Sequence, residues 1–332
     1  MAVWQRRVVC VGGVLAMALL LAEQAGMAQQ PSGGEQAVAA DAKPDASLPE
    51  AIYLVGLGDV KEQTKGALHL QPRELEFTSK EVRAAIPVDH MLAISVGDER
   101  TERGGTAGKI ARKVIPYGGG AALGAASQKS VDVLTVEYRD AHDGYHAAVF
   151  VLPTKQAEAM RADVAAQLKP VETRPPLACS APQPGTAILE PIGVEGVELP
   201  AEYRALLYEH LLTQLKKERP ADTFLRAGDI GAGPGCSALA LRVSVHGFKK
   251  GNQALRASTG PLGFFLGTTA IEFKMHLEDA AGKSLFDAEL KKKNRSDSDS
   301  LNVAKDLAKS VAKKMDKALK KSEKAGIKAV AS

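Results

Sequence analysis

Five prolines, Pro170, Pro175, Pro176, Pro182 and Pro184, fall within residues 169–185. Proline has no amide hydrogen to give to a helix interior or a central strand, and its fixed φ resists both. No regular element runs through that stretch, so the chain builds one body before it and another after it. The stretch itself reads as an extended, exposed linker that a protease reaches first. A length of 332 residues leaves each body enough material for its own core. With 45% apolar and 25% charged residues, wholesale disorder and a polytopic membrane protein are excluded.

Residues 29–49 are rich in Gln, Ala, Asp, Gly and Pro and read as a disordered tether. Ahead of them Arg6 and Arg7 precede an uncharged run, residues 8–22, and Glu23 ends it. Gly26-Met27-Ala28 then sets small residues at the −3 and −1 positions of a cleavage site. This is the layout of a secretory signal peptide, residues 1–28. The run is short for a spanning helix, which needs about 20 apolar residues, and an uncleaved anchor is the alternative. The leader holds Trp4, the only tryptophan. The processed chain therefore lacks the residue best suited to stack on sugars or bases, which together with export argues against a nucleic-acid partner. Cys179 and Cys236 remain. An exported protein with two cysteines pairs them in a disulfide or keeps two separate thiols, and the sequence leaves both open.

Residues 50–168 are strand-rich and end in one helix. Runs at 52–57, 66–71, 74–78, 82–86 and 91–96 are separated by Gly, Pro or charged turns. In residues 131–138, Val131, Val133, Thr135 and Glu137 share one side, and residues 145–152 return as the next strand. Thr154 reads as the N-cap of a helix carrying Ala157, Met160, Val164 and Leu168. Short antiparallel strands closed by a C-terminal helix predict a small β-barrel plugged by that helix. The residues Gly66-Ala67-Leu68-His69-Leu70, Leu75-Glu76-Phe77, Ile86-Pro87-Val88 and the final strand–strand–helix unit give this half its resemblance to pleckstrin-homology-like domains, including the GRAM-type bacterial branch.

Residues 186–324 follow the order β-α-β-β-β-α, which predicts an α+β sandwich with a small sheet and both helices on one face. The first helix starts at Pro200 and shows Tyr203, Leu207, Leu211 and Leu215 on one face. The last spans residues 301–321, and residues 325–332 read as a disordered tail. Leu199-Pro200, Gly247-Phe248-Lys249-Lys250-Gly251-Asn252, Ala254-Leu255-Arg256 and Leu277-Glu278-Asp279 resemble a family of exported bacterial proteins of unknown function. That family is related to the TolB N-terminal domain and to curli-assembly lipoproteins. The resemblance implies an envelope location.

Familiar catalytic signatures are missing. Residues 104–110 imitate a phosphate loop, but the spacing is one residue short and Ile110 replaces the magnesium-holding Ser or Thr. Gly231, Gly233 and Gly235 precede a strand, not the helix a dinucleotide fingerprint needs. Asp140, His142, Asp143 and His146 read as a solvated hairpin turn, with a metal site the weaker alternative. We therefore expect no enzyme activity, cofactor or metal, with a cryptic hydrolase as the distant rival.

Two glycine-rich apolar segments follow basic residues. Residues 116–126 carry Gly120 and Gly124 at a spacing that lets backbones approach closely. Residues 260–267 hold Leu262, Phe264, Phe265 and Leu266 after Lys249 and Lys250. They read either as buried turns or as a surface touching a membrane or an envelope protein. Residues 291–328 carry 13 basic and 5 acidic residues, a net of +8. Within them an apolar stripe from Ala304 to Leu319 opposes a lysine face. That face is a solvated surface or an attractor for anionic lipid or an acidic partner. The expected role is binding such a surface or partner, with a structural subunit of an envelope assembly as the alternative.

Overall fold

The computed structural model describes residues 46–102, 128–172, 175, 177–251, 269–293 and 301–330. Two antiparallel meanders build the first sheet. One comprises β1 (Ala46–Val55), β2 (Lys65–Leu70), β3 (Glu74–Thr78) and β4 (Arg83–Pro87). The other comprises β5 (Met91–Glu102), β6 (Gln128–Arg139) and β7 (Tyr145–Pro153). β7 pairs with β1, giving the order β4-β3-β2-β1-β7-β6-β5. At the end of β1 the chain turns through Gly56 at φ +98°. A Cβ there would sit 2.1 Å from the Ala147 carbonyl oxygen, so only glycine lets β1 pass β7 this closely.

The sheet is open, which corrects the expected closed barrel: β4 and β5 are its two edges and do not pair. Among the described residues β5 has β6 as its one strand neighbour. Helix α1 (Ala157–Ala165) lies on β5 and β6 instead and inserts Ala157, Met160 and Val164 into the cluster of Leu68, Phe77, Leu134 and Phe150. Apolar cover from the helix thus does the work of a last strand pair. Thr154 is not the cap of α1. Its hydroxyl donates to the Ser130 carbonyl, while the Ala157 amide is taken by Asp132 Oδ2 at 3.2 Å.

The second sheet runs β10-β8-β11-β12-β13, with β9 beside β11. Its elements in chain order are β8 (Gln183–Leu189), β9 (Gly193–Val194), α2 (Ala201–Glu218), β10 (Thr223–Arg226), β11 (Ser237–Lys249), β12 (Ala270–Asp279), β13 (Ser284–Lys293) and α3 (Asn302–Val330). β9 and β10 are additions to the expected order. They are two and four residues long, too short to leave a periodic signal. α3 runs to Val330, past the point where a disordered tail was expected. The fold is α+β.

α2 is the keystone. Its apolar residues reach outward in more than one direction. Tyr203, Leu207, Tyr208 and Leu211 join one cluster with Val133, Tyr145, Ala147 and Val149 of the first sheet, Val243, Phe273 and Met275 of the second, and Leu307 and Val311 of α3. The described residues accordingly fall within one compact unit.

Candidate binding surfaces

α2 and α3 cover one face of the second sheet, where Ile271, Phe273, Met275 and Leu277 of β12 turn inward. The period of two then sends Glu272, Lys274, His276 and Glu278 to the opposite face, which no helix among the described residues covers. An open groove of about 830 Å³ lies there, lined in part by Glu190, Glu195, Arg242, Lys274, His276 and Asp287. Its charges are largely matched across strands. Arg242 meets Glu278 at 2.7 Å, His246 meets Glu289 at 2.7 Å and Lys274 meets Glu195 at 3.7 Å. His276 lies between Asp287 and Glu278. The hydrogen bond to Asp287, helped by Glu278, raises the His276 pKa above its ordinary value. A groove whose cations and carboxylates already hold each other offers a mixed polar surface without a single dominant charge.

The other exposed surface is the outer side of α3. Val303, Ala304, Leu307, Ala308, Val311, Ala312, Met315 and Leu319 are buried. Lys305, Lys309, Lys313, Lys317, Lys320 and Lys324 are exposed on the opposite side. Asp316 does not break the row, because it turns inward to 9% exposure and lies 3.7 Å from Arg219.

Between the two sheets the polar groups behave differently. Glu209, in the middle of α2, takes a two-pronged contact from Arg226 at 2.8 Å and 2.8 Å and accepts the Ala147 amide at 3.1 Å. Arg226 also donates to the Tyr145 carbonyl at 2.9 Å and lies 5.6 Å from the Tyr208 ring centre. Burial works against the Arg226 charge, but Glu209 outweighs it and the pKa moves up. Arg204 pairs with Glu137, which also accepts the Tyr145 hydroxyl at 2.9 Å. The adjacent His210 is buried and sits 3.5 Å from Glu62, and burial pulls its pKa down to about 4.

At the start of α2, Tyr203 donates to Glu99 at 2.8 Å, and Lys250 stands 3.3 Å from the same carboxylate. Beside them Glu202 is 2% exposed, and its Oε1 has no hydrogen-bond partner among the described residues. Burial first, then the neighbouring Glu99 and Asp98 charges, raise its pKa. The carboxylate fits there because residue 97 is glycine. A Cβ at that position would come within 2.6 Å of Glu202 Oε1.

The residues singled out from sequence fall in different places. Cys179 and Cys236 are joined in a disulfide, with Cα atoms 4.8 Å apart, and the bond ties the proline-rich segment to the start of β11. Lys249 is exposed at the end of β11. Lys250 bends back to the Asp98 carbonyl at 2.6 Å, so it serves the contact with β5. Gly120, Gly124, Leu262, Phe264, Phe265 and Leu266 lie outside the described residues. In the 140–146 turn, Asp140 accepts the His142 and Gly144 amides at 2.8 Å and 2.9 Å and meets His146 Nε2 at 3.0 Å. His146 stacks on Tyr138 with ring centres 5.1 Å apart. No group of three His, Cys, Asp or Glu able to hold a metal occurs among the described residues. Sequence reasoning missed Glu209, His210 and Arg226. The legible signal was Glu209-His210 inside the apolar run from Ala205 to Leu212, where ionisable groups need buried partners.

No family model and no curated protein matches the chain. Among solved structures it is similar to the PelC dodecamer from Paraburkholderia phytofirmans, at 15% identity over 42% of this chain and 92% of that one, with a TM-score of 0.30. It is also similar to protein XCC0632 from Xanthomonas campestris, a DUF330 protein, at 8% identity over 46% of this chain and 99% of that one, with a TM-score of 0.29. No helix among the described residues is long and apolar enough to cross a membrane.

Proposed function

We infer that this is an exported, non-enzymatic protein of the cell envelope that works by binding, with the outer surfaces of its second half as the working part. The observation that carries this reading is the disulfide between Cys179 and Cys236. Such bonds persist in oxidising compartments and are rare where thiols are kept reduced. The leader pattern of residues 1–28 points the same way. Binding is favoured over catalysis by how the charges are used. In the groove they neutralise one another across strands, and at the junction they hold α2 between the sheets. The two meanders and the helix across β5 and β6 support a pleckstrin-homology-like reading of the first half, as a framework for the second.

Cell fractionation combined with thiol titration of the unfolded, unreduced protein tests the reading. The expected result is protein outside the cytoplasm, beginning near Gln29, with no free thiol. Cytoplasmic protein with two free thiols and an intact Met1 rejects it.

A further inference from the structure

We propose that the outer face of α3 docks the protein on an anionic lipid surface, by charge alone and without insertion. The proposal rests on the export reading, which places the chain beside membrane leaflets.

Residues 302–330 contain nine lysines and no arginine. The buried flank of α3 fixes the helix rotation, so Lys305, Lys309, Lys313, Lys317, Lys320 and Lys324 share the side opposite to it. At about 1.5 Å per residue the row from Lys305 to Lys324 is about 29 Å long. Two of its members are occupied: Lys305 donates to Glu62 at 2.6 Å and Lys320 to Asp316 at 2.8 Å. Lys309, Lys313, Lys317 and Lys324 have no ion-pair partner among the described residues.

The chemistry of the row selects its partner. Lysine ammonium groups are compact, strongly hydrated point charges, suited to diffuse attraction rather than the two-pronged recognition that arginine provides. At about 100° per residue the four unpaired lysines, Lys309, Lys313, Lys317 and Lys324, fall within an arc of about 80°, so a flat charged surface meets them together. No large apolar side chain lies between the lysines, so nothing enters the hydrocarbon, unlike an amphipathic helix that buries an apolar face. An acidic protein would need its own carboxylates spaced to match, whereas a leaflet with mobile anionic headgroups adapts to the row.

Each lysine near such a surface changes partitioning by about fivefold at low salt. The four unpaired lysines together amount to several hundredfold, on the order of 10²–10³. Screening shortens from about 10 Å at 0.1 M to about 3 Å at 1 M salt, so the attraction collapses at high salt.

The test is co-sedimentation of the full protein, as recovered from its cells, with vesicles of phosphatidylcholine alone and with about one part in three phosphatidylglycerol. Polyglutamate serves as an acidic polypeptide probe. The expected result is binding to the anionic vesicles at low salt, loss at about 1 M salt, and loss in Lys309→Gln/Lys313→Gln/Lys317→Gln/Lys324→Gln. These positions are exposed, so the variant should melt with the parent protein, and melting is measured alongside. Parent protein that ignores anionic vesicles at low salt overturns the proposal. So does equal binding by parent and variant, or binding to polyglutamate without binding to vesicles. The export reading falls separately, by fractionation, so the two failures are distinguishable.

Discussion

β6 and β7 are buried on both faces, whereas β12 and β13 keep one covered face and one open one. α2 explains the difference. It lies against the outer side of β6 and β7, so Val133 and Val149 pack on it while Leu134, Phe150 and Leu152 pack on the opposite cluster. A strand covered on both sides has no place for a lone charge. Glu209 therefore pairs with Arg226 and Glu137 with Arg204, while Glu202, whose Oε1 has no partner among the described residues, has its pKa raised by burial instead. On the open face of the second sheet water does that work, and the pairs there are convenient rather than required. Rigid framework and working surface are thus divided between the two sheets.

The sharpest way to break this comparison is to remove one carboxylate from each region. Glu209→Ala leaves Arg226 buried without its partner and should cost about 3–5 kcal/mol in denaturant unfolding. Glu289→Ala, on the open face, should change stability by no more than about 0.5 kcal/mol. Equal losses would show that the junction is not special.

Next in size is the disulfide. Removing it with Cys179→Ser/Cys236→Ser, which opens a loop with a sequence separation of 57, should cost about 4 kcal/mol by loss of the loop constraint on the unfolded chain. A reduced parent protein should melt together with this variant, and a higher melting temperature for the reduced parent would count against the loop account.

Two histidines sharpen the contrast through pH. His210, buried beside α3, has its pKa pulled down to about 4. The unfolded chain takes up this proton near 6.5, while the folded chain refuses it until about 4. Stability should therefore fall as pH drops through that window, by on the order of 3 kcal/mol in total. His210→Gln should flatten the slope. His276, on the open face, has its pKa raised by Asp287. Its contribution is present below 6.5 and disappears as pH rises through the folded value, the opposite slope and a smaller one because the ring is exposed. A unfolding series between pH 4 and 8 reads both.

The smallest effect is a gain. Glu202 is buried, and its pKa is raised by burial and by Glu99 and Asp98. The folded state loses stability as pH rises from the ordinary carboxylate range through the folded value. Glu202→Gln should stabilise the protein at pH 7 by about 1 kcal/mol, read as a higher melting temperature. A lower one would mean that the Glu202 charge helps to hold Lys250.

Much of the fold was legible where one face of an element is wet. The lysine face of α3 opposed its apolar stripe, whereas the alternation at residues 131–138 marked β6 as a strand without showing that both its faces are buried. What stayed hidden was cover from a distant element. The near-continuous apolar run from Ala147 to Leu152 is the signature of a strand buried on both sides, yet which helix covers it depends on contacts more than 50 residues away. The same holds for the disulfide, since a separation of 57 residues carries no geometry until β8 and β11 lie side by side. Lys250 looked like part of an outward basic surface because its partners, Asp98 and Glu99, belong to the other sheet. Among the surfaces, the lysine row could be read from helical spacing alone, whereas the groove required knowing which strands are neighbours.

The central claim is that α2 joins both sheets into one core, and calorimetry tests it most directly. Scanning the intact, disulfide-bonded protein should give a single transition whose calorimetric enthalpy equals the van't Hoff enthalpy. Two resolved transitions, or a calorimetric enthalpy well above the van't Hoff value, would show that the two sheets unfold as separate bodies and that α2 does not couple them.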